Sequence, residues 1–327
     1  MLEIIEDRLL RLPYLQPRNH SQEPLTVLFS LLTRSVELSR DHLNSPGVSC
    51  RAFPTSDQAT TSADQWGAYW RQVHAPCFIH TDEAGDNSIE RLHRYVQLHR
   101  FAPGPSQVAA PPYNVCLDQL GTLWSSATVP KGTRQRPHWD GASYLTFSAV
   151  DDIPVVFGAG RTRQRVLADD QSIFQDLAPI LAREYIIIPS STANETIVLV
   201  KLHVRSLALD RVTFHHRWLN EHGDVIRSNA NSLIKRYVQL HNVGPTKAGK
   251  PFFHPDASWI DGVTLMSFTS MNDIEDFFRS AEYRAIAQSE ALISNVGASE
   301  WWTAISIGIV DRIGREEAGD PPKGETN

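Results

Sequence analysis

The sequence predicts an α+β protein built from two tandem, divergent copies of one βαββαβ unit. The first observation is the hexapeptide RYVQLH, which stands at residues 94–99 and recurs 142 residues later, at 236–241. The second is a set of paired motifs in the same order along both halves, namely Trp-x-x-x-His from Trp70 and Trp218, and Asp-Gly from Asp140 and Asp261. Third, the segments between these motifs alternate between strand-like and helix-like patterns in both halves.

The second half has the clearer element boundaries. Residues 196–204 are β-branched and apolar, as in a buried strand, and Asp210 offers an N-cap to a helix that ends at Gly223. The later elements are predicted as strands over 236–241 and 262–268, a helix capped by Asn272-Asp273, and a strand over 302–310. The order is therefore βαββαβ.

The first half follows the same order. Its elements are predicted as a strand over 25–32, a helix over 66–78, strands over 95–99 and 142–147, a helix over 171–181 and a strand over 184–188. Such a unit is ferredoxin-like, because four antiparallel strands carry both helices on one face and leave the other face uncovered. We expect the two units to bury their uncovered faces on each other in a closed, pseudo-dimeric barrel. The alternative is that each unit pairs with another chain.

Domain boundaries follow from the motif spacing and from composition. An N-terminal helical extension is predicted for residues 1–24, and the first unit for 25–190, with loop insertions near 44–63 and 103–136. The second unit is predicted for 194–311. The tail at 312–327 is polar and lacks apolar periodicity, so it is expected to be disordered.

Composition narrows the classes of partner. The 327 residues carry a net charge of −6 and no basic stripe of the kind that neutralises phosphates, which argues against nucleic acid. The three cysteines are odd in number and lack ligand or disulfide spacing, as expected in a reducing, cytoplasmic compartment. The N-terminal residues mix acids with apolar residues, unlike a secretory signal, and no apolar run is long enough to span a bilayer. A small-molecule substrate is the expected partner.

Motifs for common cofactors are missing from the sequence. No P-loop, GxSxG turn or dinucleotide fingerprint is present, and the pair Gly158 and Gly160 lacks the third glycine of that fingerprint. No histidine or cysteine cluster has the spacing of a zinc or iron site. The sequence therefore predicts chemistry without a cofactor or a metal.

The motifs together resemble the EthD-domain family of the dimeric α+β barrel superfamily. The resemblance rests on WRQVHAP at residues 70–76, on RYVQLH in both halves and on the Asp-Gly-strand segments, and it spans about residues 25–311. It implies a fold shared with proteins of secondary metabolism, some of which act on aromatic polyketides as cofactor-free dehydratases, decarboxylases or cyclases. Haem-binding members of the superfamily take an axial histidine from the second helix. Neither second-helix segment, 152–181 or 272–292, contains a histidine, so haem is disfavoured.

The hexapeptide supplies the first candidate site residues. On a strand, Tyr95, Gln97 and His99 share one face, and the apolar Val96 and Leu98 share the other. Because apolar residues suit the helix layer, we expect the polar set to point into the barrel in both copies. A histidine there could exchange protons, although mutual hydrogen bonding in a partly polar interior is an equally weighted alternative.

A difference between the copies places the main site in the second half. Aligning Arg34 with Arg205 sets Ser30 opposite Lys201 and Leu32 opposite His203. Cyclases of the superfamily use a barrel-facing histidine on this strand, which favours a catalytic role over a buried ion pair of Lys201. The predicted catalytic residues are Lys201, His203, Tyr237 and His241, and the predicted substrate-binding residues are Gln239, His222, Tyr95, Gln97, His99, His74 and Tyr144. For His74 and His222, which end the first helices, a structural role is the favoured alternative.

These predictions describe a cofactor-independent lyase or cyclase that tailors an aromatic or polyketide-like molecule by histidine and tyrosine acid–base chemistry inside the barrel. One alternative is a cofactor-free oxygenase that acts on a phenol. The other is a non-catalytic binding or stress-related protein, which is favoured if side chains fill the barrel and no pocket exists.

Overall fold

The computed structural model describes residues 24–35, 63–78, 88–100, 116–117, 123–124, 139–158, 160–190, 196–230 and 232–313. The predicted N-terminal extension, and almost all of the predicted loop insertions and tail, lie outside these residues. Eight antiparallel strands close into one barrel with helices on its outer surface. The predicted α+β class and the closed barrel are confirmed.

The strands follow the same spatial order in both halves. They are β1 (Thr26–Arg34), β2 (Leu92–Arg100), β3 (Cys116–Leu117), β4 (Leu123–Trp124), β5 (Gly141–Phe147), β6 (Phe174–Ile188), β7 (Ile197–His203), β8 (Arg236–Asn242), β9 (Gly262–Phe268) and β10 (Glu300–Asp311). The barrel order is β1-β5-β2-β10-β7-β9-β8-β6, and β3 pairs with β4 separately. The first half thus reads β6-β1-β5-β2 and the second β10-β7-β9-β8. The halves join through β2 with β10 and β6 with β8.

The helices form the outer layer. They are α1 (Ala63–Tyr69), which continues as a π-helical turn (Trp70–His74) and a 3₁₀ turn (Ala75–Phe78), then a 3₁₀ turn (Ser88–Arg91), α2 (Asp152–Gly158), α3 (Gly160–Ile173), α4 (Arg211–Arg217) with its π-helical turn (Trp218–His222), α5 (Gly223–Asn229), α6 (Pro255–Ser258), α7 (Met271–Arg279) and α8 (Ala281–Ala291). No helix in the described part of the chain has the length and apolar character needed to cross a membrane.

Apolar side chains fill the middle of the barrel. Every second residue of each strand points inward, so that Phe29 on β1, Leu98 on β2, Val200 on β7 and Leu240 on β8 pack in one buried cluster. The residues between them belong to clusters shared with the helices, as Tyr95 does beside Phe78 on the outer layer. The barrel interior is therefore one core and the helix–sheet layer is another.

The predicted orientation of the hexapeptide strands is wrong. Val96 and Leu98 face the barrel interior, whereas Tyr95, Gln97 and His99 face the helices. The second copy has the same arrangement. Both faces of these strands are buried, so apolar character could not decide between them. The helix layer contains backbone carbonyls such as that of Trp70, which accept hydrogen bonds from the glutamine of the hexapeptide.

The predicted helix over residues 171–181 is also wrong in most of its length. Helix α3 ends at Ile173 and strand β6 begins at Phe174. This strand pairs with β1 from Phe174 to Arg183, and Pro179 lies in the pairing opposite Ser30. A proline in the middle of a helix would remove a backbone hydrogen bond and clash with the preceding turn. The apolar run is long enough for either element, but β1 needs a second neighbour to close the barrel.

Candidate active site

Each Asp-Gly motif fixes the end of a neighbouring strand. The backbone N–H of Arg34 donates to Asp140 Oδ2 at 3.0 Å, and that of Arg205 donates to Asp261 Oδ2 at 2.9 Å. Each aspartate also binds a buried or half-buried arginine side chain, Arg100 Nη2 in one half and Arg211 Nε in the other, both at 2.9 Å. The repeated aspartates are therefore structural.

The glycine of each motif makes room for a tryptophan. A Cβ atom on Gly141 would lie 3.1 Å from Trp70 Cζ3, and one on Gly262 would lie only 2.2 Å from Trp218 Cζ3. Both indole rings are completely buried. The tryptophan therefore packs directly on the backbone of the strand, and only glycine permits that approach.

The hexapeptide holds the helix onto the sheet. Gln97 Nε2 donates to the carbonyl of Trp70, and Gln239 Nε2 to that of Trp218, both at 3.0 Å. These carbonyls begin the π-helical turns, which are rare and often occur at functional sites. The His99 ring then stacks on Trp70, with centroids 4.4 Å apart.

The two hexapeptide histidines are neutral. His99 Nε2 lies 2.9 Å from Gln97 Oε1, and His241 Nε2 lies 3.0 Å from Gln239 Oε1. An amide oxygen only accepts, so Nε2 carries the proton in each ring. Burial, helped by Arg71, lowers the pKa of His99 to about 3, and burial lowers that of His241 well below its usual value. Their contacts therefore fit a structural role in mutual hydrogen bonding rather than the role of a catalytic base.

The predicted second-half site lies outside the barrel and is filled. Lys201 forms a short ion pair with Glu290, its Nζ lies 4.0 Å from the centroid of the Trp301 ring, and the two ion-pair side chains are only 9% and 8% exposed. His203 Nε2 lies 2.8 Å from Thr264 Oγ1. This arrangement is the buried ion pair that stood as the alternative to catalysis.

Two second-half histidines are also held neutral by their surroundings. Burial lowers the pKa of His203 to about 3, against an opposing effect of Glu290. Burial likewise lowers the pKa of His222 to about 4, and its Nδ1 lies 3.0 Å from Ser289 Oγ. Tyr237 contacts Thr264 at 3.3 Å between hydroxyl oxygens, and burial raises its pKa. These residues meet under one helix layer, where they bond to neighbouring hydroxyl groups.

Tyr144 is a predicted binding residue that does point into the barrel. Its hydroxyl donates a short hydrogen bond to Glu184, which also binds Arg94 at 3.3 Å and Arg236 at 3.2 Å. The two arginines are the first residues of the two hexapeptides. They neutralise the buried carboxylate from opposite halves of the chain, so Tyr144 belongs to an ionic cluster of the barrel wall.

A cavity of about 380 Å³ lies between the outer face of the first-half strands and the first-half helices. Aromatic and aliphatic side chains make most of its wall, including Trp70, Phe78, Phe157 and Phe174. Its polar lining consists of Ser30, His74, Tyr95, Ser143 and Asp170. A mostly apolar cavity of this size with a few convergent polar groups is typical of a small-molecule site.

His74 lies in the cavity wall between two carboxylates. Its Nδ1 donates to Asp169 Oδ2 at 2.8 Å, and its Nε2 lies 3.4 Å from Asp170 Oδ1. Asp169 also accepts a hydrogen bond from the Tyr69 hydroxyl at 2.8 Å. Because Asp169 fixes the proton on Nδ1, Nε2 is the atom that can accept a proton.

The carboxyl group of Asp170 titrates close to neutrality. Burial raises its pKa to about 6, partly offset by His74 and reinforced by Asp169. Tyr95 accepts hydrogen bonds from Gln97 Nε2 at 2.9 Å and from Trp70 Nε1 at 3.2 Å, and burial raises its pKa. Its hydroxyl therefore keeps its proton. The cavity thus combines an imidazole base, a carboxyl group that exchanges its proton slightly below neutral pH and a hydroxyl group that keeps its proton.

The sequence prediction missed Asp169 and Asp170, although the repeat held a signal for them. The spacing from Asp140 to Asp261 also relates Asp169 to Glu290, whose charge acts on His222 just as Asp169 contacts His74. Both halves therefore place an acid beside the histidine that ends the π-helical turn. Extending the repeat alignment into α3 would have revealed it.

The alignment of Arg34 with Arg205 shows how the two halves differ at the position of this cavity. Ser30 and Leu32 line it, and the second half has Lys201 and His203 in their places. There, the larger side chains and Glu290 fill the corresponding space. The cavity therefore lies in the first half, whose first strand has no ionisable side chain at these two positions.

Haem does not fit these residues. Both ring nitrogens of His74 face carboxylates, and the second-helix segments contain no histidine. Within the described ranges, no group of three or more His, Cys, Asp or Glu side chains could hold a metal ion.

Comparisons with known proteins give one family-model match, which lies in the second half. Comparison with curated proteins gives no match. An anthrone oxidase-like protein of known structure is 8% identical with a TM-score of 0.47, over 90% of this chain and 96% of that one. A mutant chlorite dismutase from Candidatus Nitrospira defluvii is 9% identical with a TM-score of 0.41, over 87% and 92%. The EthD domain model matches residues 207–292, from just before α4 to the end of α8. The EthD resemblance identified from the sequence is confirmed for this segment, because residues 207–292 match the EthD domain model.

Proposed function

We propose that the chain is a cofactor-independent enzyme that transfers protons on an apolar, aromatic small molecule bound in the first-half cavity. One observation carries the proposal, namely that His74 is oriented by Asp169 in the wall of an apolar cavity. A histidine held by a carboxylate in a largely apolar site is an effective general base.

The neighbouring groups favour a lyase or a cyclase. Elimination and cyclisation need a base that removes a proton from carbon and an acid that protonates the departing or newly formed oxygen. His74 Nε2 would take the first proton. Asp170, whose pKa burial raises to about 6, and the protonated Tyr95 would supply the second. Aromatic side chains in the wall would hold a flat ring by stacking.

The second-half candidates have a supporting role in this proposal. Lys201, His203, Tyr237, Gln239 and His241 form the corresponding filled layer, which holds α4 and α8 against the sheet. The first-half Gln97 and His99 position Trp70, and through it the cavity wall.

The architecture supports a second proposal, that the chain is an intramolecular pseudo-dimer of units 25–190 and 194–311. The shared strand order of the two halves and their joining through β2–β10 and β6–β8 favour it. Such a chain would be a monomer of 36.7 kDa in solution, or a dimer through its outer surfaces only, and light scattering after size-exclusion chromatography measures the mass. A crystal structure in which each sheet pairs with another chain would contradict the proposal.

A panel of hydroxylated aromatic ketones tests the activity. Without added cofactor, wild-type protein should convert at least one of them, and His74→Gln should lower the rate by about 10²-fold or more. His93→Gln is the matched control, because His93 contacts Ser148 at 2.6 Å and does not line the cavity. Turnover that persists under argon indicates a lyase or cyclase. Turnover that requires oxygen indicates the phenol oxygenase, and binding without turnover indicates a non-catalytic binding protein.

A further inference from the structure

The loop between β8 and α6 crosses from the second half of the chain to the cavity of the first. Its residue Phe252 lines that cavity together with Tyr95, Phe78 and Leu177 of the first half. The side chain is half-buried and packs against the cluster that joins helices to the sheet. One residue of the cavity wall therefore comes from the second half of the chain.

The backbone of Phe252 is strained. Its φ angle is +62°, the one positive value at a non-glycine residue in the described ranges. A bulky L-residue is disfavoured in this region because its Cβ approaches the following carbonyl oxygen. Strain of this kind persists only where surrounding contacts over-determine the conformation, and it is concentrated at ligand sites.

Contacts on the C-terminal side anchor the loop to the first half. His254 Nδ1 accepts a hydrogen bond from the Asp256 N–H at 3.2 Å, so its proton lies on Nε2. That Nε2 donates to Asp176 Oδ1 on β6 at 3.1 Å. His254 also caps helix α6, while the Phe253 N–H donates to the Lys250 carbonyl at 3.2 Å. The loop is thus tied to β6 close to the cavity.

We propose that Phe252 is the residue that determines which aromatic ligands the cavity accepts. Its ring closes the cavity on one side, so it limits the length of a fused-ring ligand and stacks on a ring that fits. The inference rests on the proposed function of the first-half cavity. It adds that a residue of the second half sets the ligand specificity of the site, because its strained backbone holds the Phe252 side chain against the cavity.

Binding of two phenols of different size tests the proposal. The probes are 2-naphthol, with two fused rings, and 1-hydroxypyrene, with four, and both are followed by fluorescence titration. Phe252→Ala should shift the ratio of the two Kd values toward 1-hydroxypyrene by about tenfold or more, as expected for contacts removed from an apolar pocket. Phe252→Gly should give the same shift, because glycine adopts the positive φ without strain. Phe253→Ala is the matched control, since its side chain does not line the cavity.

The outcomes separate the two proposals. An unchanged ratio in both Phe252 variants, with both probes bound by wild-type protein, overturns the role of Phe252 and leaves the cavity as a binding site. A shifted ratio in both variants supports it even if His74→Gln leaves turnover unchanged, which would count against the proposed function alone. If neither wild-type protein nor Phe252→Gly binds either phenol, both proposals are overturned.

Discussion

The amide of Gln97 donates a hydrogen bond to the carbonyl of Trp70 at 3.0 Å, and the same bond at the same distance joins Gln239 to Trp218. The sequence repeat therefore marks the bonds that fasten the first helix of each half to its sheet. The base that we propose, His74, ends the helical turn that begins at Trp70. The residues around this histidine differ between the two halves.

The packing of Trp218 on Gly262 predicts a large effect of one methyl group. Gly262→Ala places Cβ within 2.2 Å of the indole, so the ring or the strand must shift. We expect it to lower the free energy of unfolding by about 1–3 kcal/mol, as overpacking does in other cores. Gly308→Ala, whose Cβ would meet nothing within 4 Å, should change it far less. Urea denaturation measures both, and equal effects would contradict the packing described.

The ion pair of Lys201 and Glu290 predicts strong coupling between two substitutions. Lys201→Met or Glu290→Leu alone leaves one buried charge without its partner and should cost about 3–5 kcal/mol of unfolding free energy. The double substitution removes both charges and should cost less than the sum of the two. A double-mutant cycle by chemical denaturation checks this, and additive effects would show that the pair is not coupled.

The neutral His203 predicts acid sensitivity. Burial lowers its pKa from 6.5 to about 3, so the unfolded chain binds the proton at a higher pH than the folded chain. The stability that the neutral ring contributes is present above pH 6.5 and is lost as the pH falls toward 3, with a slope that approaches about 1.4 kcal/mol per pH unit. His203→Gln should flatten the fall of unfolding free energy between pH 7 and 4. The control His93→Gln should not, and identical slopes in all three proteins would contradict the burial of a neutral ring.

The bond from His74 to Asp169 predicts a positioning role for that carboxylate. Asp169→Asn removes the charge that favours the proton on Nδ1, so the imidazole is free to adopt the other tautomer. We expect turnover to fall by about 10²-fold or more, with little change in KM, because the ring still lines the cavity. Asp276→Asn, at an exposed position on α7, is the matched control. A change in KM with kcat unaffected would assign Asp169 to binding instead.

Much of the fold could be predicted from the sequence, because the repeat constrains both halves together. The strands around Gln97 and Gln239, the strand that begins at Gly262 and the cap at Asp210 all follow from local chemistry. The helix predicted to end at Gly223 continues to Asn229 instead. The face of the hexapeptide strands could not be predicted, since Val96 and Gln97 are both largely shielded from solvent and only the partner layer distinguishes them.

The site was harder to predict than the fold for a physical reason. Ionisable residues such as Lys201 and His203 attract attention in a sequence, but each needs partners that fill the surrounding space when it is buried. Ser30 and Leu32, which are shorter or uncharged, leave that space open. A cavity depends on the space that remains between the sheet and the helices. A sequence alignment does not give the distance between them.

The most direct measurement is the fluorescence of 2-naphthol bound to wild-type protein, His74→Gln and His203→Gln. This phenol becomes far more acidic when excited. With protein in excess, so that all of the probe is bound and shielded from bulk water, it emits as naphtholate if a base within hydrogen-bonding distance accepts its proton. Because His74 lines the cavity and His203 lies in the filled layer, naphtholate emission should appear with wild-type protein and with His203→Gln and should be lost in His74→Gln. Emission that survives in His74→Gln and disappears in His203→Gln would contradict the assignment of the base to the first half.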